Sequence, residues 1–344
     1  MAQSIKVVCA KCQAVLAEVH KNGAVPKSGT LLVAGTFRAF MNRSPMSTSA
    51  ESVELRFSSG DSWCAATFYR PVRRGPCPVI VMAHGVGGVK AMRLPAFAER
   101  FARAGYACFV FDYRHLGESG GEPRQLVDIS RQLEDWKAAM ACARAQPEVL
   151  PSKLILWGTS FSGGHVLSVA ADTPDVAAVV SQCPFTDGLA SSLALDFATS
   201  IKVSALAILD RVGSWLGRQP VHVALAAPPG QTALMNAPDA FTGFRALHPA
   251  GSHIPDYIAA RFALDIVRYH PGRRTRDIKA PVLFCVCETD SVAPAKATLR
   301  HAARAPHKEI KRYAEGHFEI YLGAAFERAV ADQLTFLQRV VPVR

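Results

Sequence analysis

The segment Gly158-Thr159-Ser160-Phe161-Ser162-Gly163-Gly164 directly follows a short apolar run, Leu154 to Trp157, and opens a stretch with helical spacing. A chain that turns from a buried strand into a helix within so few residues needs small side chains two positions before and after the central residue, because strand and helix must approach closely. Gly158 and Ser162 meet that demand. The usual pattern is Gly-x-Ser-x-Gly, and serine at its last position is a tolerable departure, being small and followed by two glycines. On its own such a turn also suits packing or phosphate binding, so its surroundings decide how it is read.

Those surroundings alternate between two periodicities. Val53, Leu55 and Phe57 alternate with polar residues, and Ala65 to Tyr69 continue after the Ser59-Gly60-Asp61 turn, as in an antiparallel hairpin. Short apolar runs follow at Pro78 to Ala83, Ala107 to Asp112, Leu154 to Trp157, Ala177 to Cys183, Pro281 to Val286 and Glu309 to Tyr313, the pattern of strands buried on both faces. Between them Pro95 to Ala104, Gln125 to Ala145, Gly163 to Ala171, Ala293 to Ala303 and Ala324 to Val340 carry apolar residues at i, i+3, i+4. This alternation predicts an α/β fold, a mostly parallel eight-stranded sheet flanked by helices. The interval 187–279 breaks the rhythm. It holds Pro220, Pro228, Pro229, Pro238 and Pro249 among short amphipathic stretches, and reads as an inserted helical cap, since structureless loops of that length are rare. The core then comprises residues 51–186 and 280–344.

Composition narrows the class further. With 344 residues, 49% hydrophobic and 19% charged, the chain can bury a large core, and disorder, collagen and coiled coil are excluded. The most apolar long window, Leu189 to Leu209, contains Asp196 and Lys202, so no membrane span is expected. Six of the basic residues, against the single acid Glu18, fall in residues 1–50, which read as a basic extension, either disordered, an organelle presequence, or preceding a true start at Met41 or Met46. The net charge of +11 lacks the interleaved aromatics of a nucleic-acid module and reads as a solvated basic surface. The nine cysteines sit mostly in strand-like runs, which points to buried free thiols in the cytoplasm; Cys9-x-x-Cys12 has no second pair at metal-site spacing.

Three more features complete a chemical constellation. His84-Gly85-Val86-Gly87-Gly88 follows the strand Pro78 to Ala83, where a glycine-rich loop aims a backbone N–H at a reacting centre. Asp290 lies just past the strand Pro281 to Val286, and His317 just past Glu309 to Tyr313. The order Ser160, Asp290, His317 is the nucleophile, acid, base order of one fold, with each residue beyond a strand end, where an open parallel sheet forms its ligand crevice. Asp187 is a rival acid and more naturally a helix cap; Glu288 and Glu315 read as bracing carboxylates. No His/carboxylate spacing marks a metal site, and the other histidines read as packed or surface residues.

From Glu51 onward these residues resemble the serine-nucleophile branch of the α/β-hydrolase superfamily. Phe111-Asp112-Tyr113-Arg114-x-x-Gly117-x-Ser119-Gly120-Gly121 is similar to a loop that in the family braces the His-Gly loop, with His115 replacing a glycine. The stretch is also similar to X-prolyl-peptidase-like hydrolases and fungal polyketide transferases. The resemblance implies a serine hydrolase of carboxylic esters or thioesters, acting on a small acyl substrate. Ser160 is then the nucleophile, His317 the base and Asp290 its orienting acid. The Val86 and Phe161 amides would form the oxyanion hole, and neither cofactor nor metal is required. An acyltransferase or peptidase with the same triad stays open, as do hydroxynitrile lyase and perhydrolase chemistry, a catalytically silent binding protein and a homo-oligomeric state.

Overall fold

The computed structural model describes residues 51–71 and 75–343; the basic extension 1–50, with Cys9-x-x-Cys12, lies outside them. The chain opens with the hairpin β1 (Ser52–Ser59) and β2 (Ser62–Tyr69), turning at Gly60, where a φ of 52° suits a residue without Cβ. There follow β3 (Cys77–Ala83), helix α1 (Leu94–Arg103), β4 (Ala107–Phe111), α2 (Ile129–Arg144), β5 (Val149–Thr159), α3 (Phe161–Asp172) and β6 (Ala178–Gln182). Residues of β3, β4 and β6 are buried throughout, which explains why their sequences are apolar without alternation. Helix α2 begins at Asp128, whose side chain accepts from the Arg131 amide, rather than at Gln125, where φ is 60°.

The interval 187–279, expected as a helical cap, holds strands as well as helices. It contains α4 (Gly188–Ser192), α5 (Phe197–Trp215), α6 (Ala240–Ala246), α7 (Phe262–Ile266) and a 3-10 turn at Pro271–Asp277. It also contains a small three-stranded sheet of β7 (His222–Ala226), β8 (Ala233–Met235) and β9 (Tyr257–Ala259), with β7 in the middle. Strands of three to five residues are too short to display a period. Their ladder partners are supplied by one another and not by the main sheet. The core resumes with β10 (Val282–Cys287), α8 (Ala295–Ala302), β11 (Lys308–Tyr313) and α9 (Gly323–Val340).

Eight strands form the main sheet in the order β1-β2-β4-β3-β5-β6-β10-β11, with β2 antiparallel to its two neighbours and every other pair parallel. The chain leaves β3 toward one edge and returns through β5 toward the other. This reversal sets the loops after β3 and β5 side by side, with Ala83 paired to Gly158. Trp157, fully buried in β5, packs on Phe97 of α1 at 5.0 Å and donates its indole N–H to Gln333 of α9 at 2.9 Å. Burying one such side chain contributes about 1.5–3 kcal/mol, so this residue clamps helices from two parts of the chain onto the sheet that carries the crevice.

Candidate active site

Ser160 occupies the turn between β5 and α3 with φ 56° and ψ −119°, a conformation that costs a non-glycine residue about 1–3 kcal/mol. The surrounding backbone over-determines it. The Ser160 amide donates to the Gln182 carbonyl at 2.9 Å, and its own carbonyl accepts from Phe185 at 2.9 Å and Gly164 at 3.2 Å. The small neighbours are obligatory: a Cβ on Gly158 would stand 2.1 Å from the Ser162 carbonyl oxygen.

Ser162 does more than stay small. Its hydroxyl donates to the His84 carbonyl, which leaves the Tyr113 hydroxyl as donor to Ser162, while Trp136 donates to Tyr113 at 2.7 Å. This buried chain of hydrogen bonds ties the elbow to the loop after β3. Nothing in the local sequence identifies Tyr113 and Trp136 as its members, because they arrive from β4's exit and from α2.

Three side chains expected to meet do so. The His317 ring lies 2.9 Å through Nε2 from Ser160 Oγ, and its Nδ1–H donates to Asp290 Oδ2 at 2.7 Å. Asp290 is held in turn by its other oxygen, which accepts the amides of Val292 at 2.9 Å and Ala293 at 2.6 Å. Burial of His317 opposes the imidazolium, but the Asp290 carboxylate beside it outweighs that cost and holds the ring above its ordinary value. His84 behaves oppositely. Its Nδ1 accepts from the Gly85 amide at 2.8 Å and burial drives it down to about 3, so it stays neutral.

Gly85 passes directly against Ser160, where an added Cβ would lie 2.9 Å from Ser160 Oγ and 3.4 Å from the Phe161 amide nitrogen. Val86, Ser160 and Phe161 line one cavity of about 280 Å³. The interval 187–279 supplies its far wall, apolar at Met235 and Ile266 and hydroxylic at Ser191, Ser192, Ser200 and Ser204. These lining residues were not foreseeable, since none carries a motif; only Ser200 and Ser204 share a helical face by spacing.

The rivals have structural duties. Asp187 caps α4 through the Ala190 amide at 3.2 Å and pairs with Arg300 at 2.8 Å. Glu288 pairs with Arg312, and Glu315 with Arg328. Asp112 accepts the amides of Lys90 at 2.5 Å and Glu118 at 3.0 Å, bracing the glycine-rich loop. His165 is buried between Tyr269 and Gln132.

Comparison with known proteins agrees with this architecture. The chain is 61% identical over 292 residues to the quorum-quenching protein AidA of Acinetobacter baumannii, covering 85% of this chain and 96% of that one. It is 28% identical to the thiohydrolase aneE of Aspergillus aculeatus, over 77% of this chain and 86% of the relative. The crystal structure of the α/β hydrolase GrgF from Penicillium sp. sh18 superposes with a TM-score of 0.71 at 22% identity, over 85% of this chain and all of that one, which speaks for the fold alone. The pattern of one family matches residues 74–322, spanning β3, the elbow, Asp290 and His317: the chain belongs to the serine aminopeptidase S33 family of α/β hydrolases.

Proposed function

We propose that the chain is a serine hydrolase that opens carboxylic esters, thioesters or cyclic esters through an acyl-enzyme on Ser160. The observation that carries this reading is the unbroken hydrogen-bonded series from hydroxyl to imidazole to carboxylate at 2.9 and 2.7 Å. His317 Nε2 takes the Ser160 proton as Oγ attacks the carbonyl, and returns it to the leaving group; water then repeats the sequence on the acyl-enzyme. Asp290 keeps Nδ1 protonated, so that Nε2 is the basic nitrogen, and stabilises the imidazolium between the steps. The amides of Val86 and Phe161 receive the oxyanion.

The interval 187–279 acts as a cap whose apolar wall takes the acyl chain and whose serines solvate a polar substituent. Relatives named for quorum quenching and for thiohydrolysis support a small acyl substrate of this kind. The buried free thiols Cys64, Cys108, Cys183, Cys285 and Cys287 support a reducing, cytoplasmic setting. Among the described residues no helix is long and apolar enough to cross a membrane.

A fluorophosphonate probe tests the mechanism. Labelling of folded protein at Ser160 that vanishes in Ser160→Ala is expected; no labelling would leave a binding protein on a hydrolase fold. Turnover of matched acyl esters, thioesters and lactones then ranks the leaving groups, and capture by added alcohol or amine in preference to water would identify a transferase.

A further inference from the structure

Among the described residues, nine of the ten large hydrophobic side chains left exposed fall between Leu189 and Leu216. They form a stripe on the outer face of α5 and the turn before it. Leu193, Phe197, Ile201, Ile208, Val212 and Trp215 follow helical spacing, and Leu193, Phe197 and Trp215 are 75%, 81% and 76% exposed. At about 150–250 Å² for each aromatic ring and somewhat less for each aliphatic chain, nine side chains exposed to this extent present on the order of 1,000 Å² of apolar residue surface. That exceeds the roughly 300–600 Å² of the largest patch on a typical monomer, and it reaches the roughly 800 Å² per partner of a stable interface.

From this we infer that the outer face of α5 is the contact surface of a two-fold homodimer, in which the helix packs antiparallel on its copy. The stripe is self-complementary about its middle. Turned end for end, it sets Phe197 against Leu216, Ile201 against Val212, and the small exposed Ala205 against Ile208, so bulk at the ends meets bulk and the centre permits close approach. Charge favours a protein partner over an anionic surface. Along α5 the only basic residues are Lys202 and Arg211, and Arg211 is already paired with Asp265 at 2.6 Å. The same segment borders the catalytic cavity, which Leu193, Ser200, Val203 and Ser204 line beside the stripe. The dimer therefore stiffens one wall of that cavity; this last clause rests on the proposed hydrolase reading, whereas the association does not.

Sedimentation velocity of the full chain at micromolar concentration tests it. The wild type is expected at twice the chain mass. Ile208→Glu and Trp215→Glu, both at exposed positions, are each expected at half that value with unchanged circular dichroism and undiminished fluorophosphonate labelling. Ile201→Lys and Val212→Glu should each be monomeric alone and recover the dimer when mixed, which reads the antiparallel register directly. A monomeric wild type overturns the inference. In that event pelleting with phosphatidylglycerol/phosphatidylcholine vesicles that is lost in Ile208→Glu would assign the face to a membrane surface. Dimerisation only after removal of residues 1–50 would assign it to that segment of the same chain. A dimer indifferent to Ile208→Glu, or failure of the mixed pair to associate, overturns it as well.

Discussion

Replacing Ser162 with alanine removes one oxygen and leaves two buried groups stranded. The His84 carbonyl loses the hydroxyl that donates to it, and the Tyr113 hydroxyl loses its acceptor while still receiving the Trp136 indole at 2.7 Å. A buried polar group deprived of its partner costs about 1–3 kcal/mol, so the expected destabilisation is about 2–5 kcal/mol, larger than an exposed substitution of similar size. Because the broken link joins the elbow to the loop bearing Val86, the amides of Val86 and Phe161, proposed to receive the oxyanion, lose their mutual registration. Turnover should then fall by about 10²-fold, the lower end for removal of one oxyanion donor, with little change in KM. Urea unfolding by tryptophan fluorescence measures the first effect, and steady-state ester hydrolysis the second. Adding Tyr113→Phe removes one of the stranded groups, so the double variant should be less destabilised than the sum of the singles by about 1 kcal/mol or more. Additive losses, or a Ser162→Ala protein as stable and active as wild type, would refute the proposition that this chain of hydrogen bonds carries load.

Other consequences follow from the same geometry. Ser160→Gly relieves a φ of 56° and should raise stability by about 1 kcal/mol while abolishing turnover, read by thermal unfolding and by probe labelling. Gly85→Ala places a methyl 2.9 Å from Ser160 Oγ and should cost at least about 10²-fold in kcat/KM, measured with the shortest acyl ester. Catalysis needs neutral His317, whose pKa is raised above 6.5, so the acid limb of kcat/KM should have its midpoint above that value; Asp290→Asn should move the midpoint down and lower kcat by about 10⁴. Stability runs the other way. The contribution from protonated His317 is fully present below its unfolded value of 6.5 and disappears as pH rises through the higher folded value, a trend that should be absent in His317→Gln when unfolding is followed against pH.

The elements of the core were legible because each obeys a short-range rule. Strands buried on both faces must be continuously apolar, as Val79 to Ala83 and Val282 to Cys287 are, and helices laid over them must carry an apolar stripe. The elbow was legible because its steric demands fall on residues two apart. The short strands β7, β8 and β9 were not, because three to five residues do not display a period and their partners lie up to 37 residues away, as with His222 and Ala259. Ser162 was legible as a small residue but not as a hydrogen-bond donor, since the carbonyl it serves belongs to His84 on another strand's exit.

What sequence alone determined, then, is the kind and order of the parts: a serine on a strained turn, a carboxylate and an imidazole each just past a strand end, and a glycine-rich loop after the third strand. These follow from backbone sterics and periodicity, which act over a few residues. Tertiary structure alone decided that residues 160, 290 and 317 meet within hydrogen-bond reach, that the Trp136–Tyr113–Ser162 series locks the elbow to the loop, and that α5 and the turn before it border the cavity while presenting bare apolar surface. Such facts depend on which distant segments a sheet brings together, and no local pattern in the chain encodes a distance.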